Sequence, residues 1–148
     1  MTKKMNADVI IIGGGLGGIA AGLASARMGR SVILTEESKW VGGQITGQAV
    51  PPDEHPWIEQ FGATASYRQF RDGVRNYYRN HYPLTPQARN NRYLNPGNGW
   101  VSKLCHEPKV ALAVLNEMLA PYVSSGRITI LLKHKPIDAA TQGNQIEW

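Results

Sequence analysis

Much of what would mark a specialised class of protein is missing from this 148-residue chain. Its single cysteine, Cys105, excludes an internal disulfide framework, a CxxC redox pair and a zinc site built from several thiolates. The lone thiol reads as a small buried hydrophobe, in keeping with a reducing compartment. No apolar run approaches the roughly 20 residues that a membrane span requires. Lys3 and Lys4 precede an apolar stretch, as in a secretory leader, but glycines at 13, 14, 15, 17 and 18 interrupt it. A cytoplasmic protein with no metal site is the expectation. Acids are scarce as well, 11 against 16 Lys and Arg, giving a net charge of +5. Six arginines fall between Arg68 and Arg92, where Asp72 is the lone acid. Such a patch can attract anions. With no nucleic-acid motif beside it, a solvated helix face is expected and no nucleic-acid partner.

Glycine, in contrast, is plentiful, and its densest cluster follows a β-branched run. Val9 to Ile12 reads as a central parallel strand covered on both faces. Gly13, Gly15 and Gly18 then have G-x-G-x-x-G spacing: a tight turn, close backbone approach to a pyrophosphate, and close helix–strand packing. Free amides of Gly14, Leu16 and Gly17 around the helix start are placed to bind phosphate, aided by the helix dipole. Gly22 should face the sheet, Ala20, Ala21, Ala24 and Ala26 keep the helix slim, and Gly29 closes it. Val32 to Leu34 reads as a second strand. Glu36 follows 18 residues after Gly18, where an acid accepts hydrogen bonds from a ribose 2′-hydroxyl and repels a 2′-phosphate. Glu37 is its register alternative.

A second glycine pair, Gly42-Gly43, stands six residues after Glu36 and leads into Gln44-Ile45-Thr46. Together with the turn, this pattern resembles the glutathione-reductase-like flavoproteins, and Gly-Gly-Gln-Ile-Thr is similar to the flavin-side segment of thioredoxin-reductase-type enzymes. The phrases Ala49-Val50-Pro51-Pro52-Asp53-Glu54-His55-Pro56-Trp57-Ile58-Glu59, Asn95-Pro96-Gly97-Asn98-Gly99-Trp100-Val101 and Cys105-His106-Glu107-Pro108 resemble a bacterial group of FAD-dependent oxidoreductases over nearly the full length. The resemblance implies FAD rather than NAD as cofactor. It places Gln44 and Thr46 near the ribityl or isoalloxazine part and backbone near Pro136 at the adenine. The implied fold is α/β: a Rossmann-like FAD/NAD(P)-binding domain with a central parallel sheet, a helical insertion and the start of a β-meander.

Residues 51–108 form that insertion, expected to flank the flavin ring on the substrate side. Residues 63–80 read as a helix from the spacing of Tyr67, Phe70, Val74, Tyr77 and Tyr78, with Arg68, Arg71, Arg75 and Arg79 on other faces. Residues 83–99 read as loop. His55, His81 and His106 are acid–base candidates because imidazole titrates near neutral pH. His106 stands first among them, beside Cys105 and Glu107. A further helix should run from Pro108 to about Ala120, with Pro121 straining its end and Gly126 closing it. Residues 127–133 read as a strand, and Gly143-Asn144 as a hairpin turn leading to Gln145. Flavoproteins of the resembling type continue beyond this point to a Gly-Asp segment near the flavin phosphates. Residues 1–148 are therefore expected to be the N-terminal part of an FAD-binding domain, acting on a small-molecule substrate with NAD(P)H or another electron carrier. Two alternatives stay open: an NAD-binding dehydrogenase module, and a fragment or subunit that oligomerises or needs a partner to complete the cofactor site.

Overall fold

The computed structural model describes residues 4–143 and 145–147. It is an α/β unit in the order β1 (Val9–Ile12), α1 (Leu16–Arg27), β2 (Val32–Glu36), α2 (Ala65–His81), α3 (Pro86–Asn90), α4 (Pro108–Ser124), β3 (Ile128–Leu132), β4 (Ala140–Gln142) and β5 (Gln145–Glu147). The first three strands form one parallel sheet in the order β1-β2-β3, with Ile11 opposite Leu34 and Leu34 opposite Ile130. β4 and β5 pair antiparallel. Asn144, the second residue of the expected hairpin turn, lies outside the described residues.

The sheet corrects one expectation. β2, with all five residues buried, is the central strand, whereas β1 is an edge among the described residues and Ile12 is 50% exposed. A β-branched run signals a strand able to be covered on both faces, but pairing is decided by distant chain.

α1 packs on this sheet through glycine. A Cβ on Gly18 would lie 1.9 Å from the Gly13 carbonyl oxygen, so only hydrogen fits there. Gly22 is buried against Ile11, Leu34 and Ile128. Of the four alanines, Ala26 alone is buried; Ala20, Ala21 and Ala24 face out. Gly29, at φ +82°, ends the helix in the left-handed conformation that side chains disfavour.

α4 lies beside α1 over the sheet and buries Val110, Val114, Leu115 and Leu119. It passes through Pro121 and runs on to Ser124, further than expected, because a proline near a helix end sacrifices a single backbone bond. α2 packs on α4 so closely that a Cβ on Gly73 would meet Val114 at 2.6 Å. Thr64 caps α2, its hydroxyl accepting the Tyr67 N–H at 3.2 Å. Residues 83–99 are not all loop: Thr85 caps the short α3, with Pro86 in its first turn.

The arginines of α2 are the main departure. Arg71 and Arg75 are 1% and 3% exposed, not solvated. Their guanidinium groups meet Glu54 and Glu59 from the loop ahead of α2, and Arg75 Nε donates to the Leu94 carbonyl at 2.9 Å. Arg79 donates to the carbonyls of Arg89 and Asn91, holding the end of α3. Two of the six arginines of the apparent basic patch are therefore internal scaffolding, while Arg89 and Arg92 are exposed. Helical spacing could not show this, because the carboxylates come from irregular chain.

Candidate functional site

The glycine turn between β1 and α1 opens a cradle lined by backbone. Gly13 takes φ +98°, which glycine alone adopts without strain. Cβ atoms on Gly13, Gly15 or Gly17 would meet nothing within 4 Å, so the backbone at these three positions borders open space. Gly15 is the N-cap of α1 and offers no capping side chain, which leaves the first-turn amides of Leu16, Gly17 and Gly18 to an outside acceptor. A negatively charged group is favoured there by the positive end of the helix dipole.

Glu36, at the end of β2, closes one side. Its Oε2 accepts the Gly14 N–H at 3.0 Å and its Oε1 accepts the Ser38 N–H at 2.8 Å. A carboxylate offers about four acceptor positions, so both oxygens retain capacity for hydroxyl donors. Glu37, its register alternative, is exposed and outside the strand, and Glu36 is the acid whose carboxylate reaches the turn. Burial pushes the Glu36 carboxyl up, but hydrogen bonds from Ser38 and Gly14 outweigh it and hold it below the ordinary glutamate value. A depressed folded pKa stabilises the fold above the carboxyl range, and the contribution disappears as pH falls through the folded value. Glu36→Gln is accordingly expected to cost about 1 kcal/mol at neutral pH. The difference from wild type should shrink from neutral to acidic pH, as the pH falls through the depressed folded value and the carboxyl is neutralised. Urea unfolding at neutral and at acidic pH measures it.

The second glycine pair forms the other side. The Gly42 N–H donates to the Gly14 carbonyl at 2.8 Å, and Gly15 and Gly42 form an isolated parallel bridge. A Cβ on Gly43 would lie 3.2 Å from the Gly15 Cα. Gly42 and Gly43 both have positive φ and lead into a 3-10 turn over Gly43–Ile45. Two glycine segments 27 residues apart in sequence thus become one continuous backbone surface. The juxtaposition could not be read from either segment alone.

The remaining candidates are scattered. The Gln44 side chain is exposed, and its carbonyl accepts the Val50 N–H at 2.9 Å where the insertion begins. Thr46 is 1% exposed and donates its hydroxyl to the Val41 carbonyl at 2.6 Å, so its side chain shapes the loop rather than facing outward. After β3, the Lys133 and His134 N–H groups donate to the carbonyls of Ser38 and Glu36, which brings the chain alongside Glu36. Pro136 follows two residues later, exposed. His55 sits among Trp57 and Phe61, and His81 is exposed at the end of α2 against Tyr77. His106 lies partly buried against Phe70. Each histidine thus packs against a different aromatic neighbour. Grooves of 730 and 590 Å³ lie along residues 84–98 and between α2 and α4, and neither is lined by the glycine turn. Sequence reasoning missed Glu54 and Arg71 as members of a buried polar cluster.

Open glycine faces, uncapped amides and an acid with spare acceptor capacity fit the pyrophosphate and ribose of a dinucleotide. A family model described as FAD-dependent oxidoreductase matches residues 8–148. The chain belongs to that family. The family is one of FAD-dependent oxidoreductases, the group that the second glycine pair and the middle phrases resemble. Over 54 residues this family member is 37% identical to the FAD-dependent monooxygenase atnJ of Arthrinium sp, a match covering 36% of this chain and 13% of that protein. It is 42% identical over 60 residues to squalene epoxidase erg1 of Aspergillus fumigatus, covering 40% of this chain and 12% of the epoxidase. With 4,4'-diaponeurosporene oxygenase of Staphylococcus aureus it shares 46% identity over 41 residues, 28% of this chain and 8% of the oxygenase. The chain thus spans between 8% and 13% of the length of these relatives. No helix among the described residues is long and apolar enough to cross a membrane.

Proposed function

We propose that this chain supplies the cradle for the ADP half of FAD in an oxidoreductase acting on a small-molecule substrate. The observation that carries the reading is the contact of Gly42 and Gly43 with Gly14 and Gly15, which joins two backbone-lined segments beside Glu36. The free first-turn amides of Leu16, Gly17 and Gly18 would hold the pyrophosphate over the open backbone of Gly13 and Gly15, and Glu36 the ribose hydroxyls. The Gly14 amide, expected to be free, is instead spent on Glu36, and the Gly13 amide on the Thr35 carbonyl. The backbone of Gly42, Gly43 and Gln44 would continue along the cofactor, with Thr46 contributing by fixing that loop. The turn after β3, toward Pro136, would border the adenine. Bound flavin supplies hydride or electron transfer, while the protein supplies binding, orientation and electrostatics.

In this reading residues 51–108, which begin next to Gln44, flank the flavin end. NAD(P)H or another carrier would serve as electron partner, and the buried lone thiol of Cys105 accords with the cytoplasm. An NAD-binding module is disfavoured because it leaves the second glycine segment without a task. The relatives' oxygen chemistry does not transfer to this chain over so small a shared length.

Titration of the purified chain with FAD and, separately, with NAD tests the reading through flavin fluorescence and calorimetry. FAD is expected to bind and NAD to bind far more weakly. Glu36→Ala is expected to weaken FAD at least about tenfold, the loss of one charge-assisted hydrogen bond. Binding of NAD in preference to FAD would overturn the assignment.

A further inference from the structure

The groove of 730 Å³ along residues 84–98 has the capacity for a small-molecule ligand, for which sites of about 300–1,000 Å³ are usual. Among the described residues no charged side chain lines it, although it runs through the most basic part of the chain. The arginines there are turned to other work. Arg79 donates to the Arg89 and Asn91 carbonyls, and Arg89 donates to the Arg79 carbonyl. Arg92 lies over the Tyr93 ring, 5.4 Å from its centre. A phosphate, carboxylate or ammonium ligand therefore meets no counter-charge in the lining.

Carboxamides line it instead, five in all. Two of them are spent on the loop. Asn95 donates to the Gly99 and Ser102 carbonyls at 2.8 and 3.0 Å and accepts the Cys105 N–H at 2.7 Å. Asn91 accepts the Tyr93 N–H at 2.9 Å. The other three, Gln87, Asn90 and Asn98, are exposed, and their side chains make no hydrogen bond among the described residues. Asn98 is held at φ +48°, a left-handed conformation that asparagine tolerates better than most residues. Leu84 and the buried Leu94 add apolar surface to the same lining.

A carboxamide sets N–H donors beside a carbonyl acceptor on one planar group. Adjacent hydroxyls of a sugar present the matching arrangement, because each both donates and accepts, and the C–H face of the sugar ring is apolar. Three uncommitted carboxamides, apolar surface and an absence of charge fit that mixture. A peptide strand is less suited, since it relies on free main-chain partners. Here the Leu94 and Asn98 N–H groups already donate to the Asn91 and Asn95 carbonyls.

We propose that the groove along residues 84–98 binds a neutral saccharide, held by Gln87, Asn90 and Asn98. No residue of the glycine turn lines it, so this site and the cofactor cradle stand or fall separately.

Titration of the full chain with maltose and with cellobiose tests the site without FAD, followed by calorimetry and by the nitrogen-15 signals of the side-chain amides. At least one of the two sugars is expected to bind and to shift the amide signals of Gln87, Asn90 and Asn98. Gln87→Ala combined with Asn90→Ala is expected to weaken that binding about tenfold or more, through the loss of its hydrogen bonds. The urea midpoint should stay where it was, because neither side chain has a partner in the fold. If the double variant lowers the midpoint, Gln87→Ala decides alone, a loss of about threefold or more supporting the site and unchanged affinity overturning it. Silence of these amides toward both sugars at about 10 mM overturns the proposal, as does unchanged affinity in the folded double variant. A groove that takes capped trialanine and neither sugar is a peptide site, and the proposal then falls.

Discussion

Arg71→Ala is expected to lower the unfolding free energy by about 3–5 kcal/mol, because it strands buried carboxylate charge. Arg71 is 1% exposed and its guanidinium bridges Glu54 and Glu59. After truncation Glu59 keeps Arg75, but Glu54 keeps only the Tyr67 hydroxyl. An exposed ion pair would contribute at most about 1 kcal/mol, so burial sets the size of the loss. Removing charge from both sides together, in Arg71→Met with Glu54→Gln, should recover much of the stability, since no buried charge is then left unpaired. Urea unfolding of the wild type, the single and the double variant measures this. A loss below about 1 kcal/mol in Arg71→Ala would mean that the cluster is solvated.

Gly15→Val is expected to abolish FAD binding while leaving the fold nearly untouched. Gly15 has φ −65° and ψ −179°, a conformation open to any residue, and a Cβ there meets nothing within 4 Å. Stability should therefore change by less than about 1 kcal/mol, even with the weaker N-cap. The added isopropyl group occupies the approach of the pyrophosphate to the backbone. A loss of about 3 kcal/mol in binding, more than a hundredfold, is expected. Gly18→Val provides the contrast, because its Cβ would press on the Gly13 carbonyl at 1.9 Å and force α1 off the sheet. That variant should lose stability and binding together. Flavin fluorescence titration beside urea unfolding separates the two outcomes. Normal FAD affinity in Gly15→Val would remove the glycine turn from the cofactor site.

Several parts of the molecule were legible because they depend on local rules. The spacing of Gly13, Gly15 and Gly18 reports what the backbone can do at a strand–helix junction, and those requirements repeat wherever such a turn is built. Glu36 was legible for a similar reason, as the end of β2 sits a fixed distance across the sheet from the turn. The helix α2 and the strand at Ile128–Leu132 followed from apolar spacing. Thr46 shows the limit of such reading. Its side chain is polar and adjacent to the glycine pair, yet it is spent on the Val41 carbonyl. A sequence shows that a hydroxyl exists, and only the fold shows which acceptor reaches it first.

The sequence by itself determined the glycine turn, the acid that ends β2, the helices with regular apolar spacing, and the family to which they point. These are properties of short segments, in which steric demands and side-chain period act over a few residues. Only the tertiary structure decided that, among the described residues, β1 is an edge and β2 the centre, and that Gly42 lies on Gly14. The same holds for the burial of Arg71 and Arg75 against carboxylates from the loop ahead of α2. Each of these depends on contacts between segments far apart in the chain, where the geometry of packing, and not the identity of neighbouring residues, selects the partner.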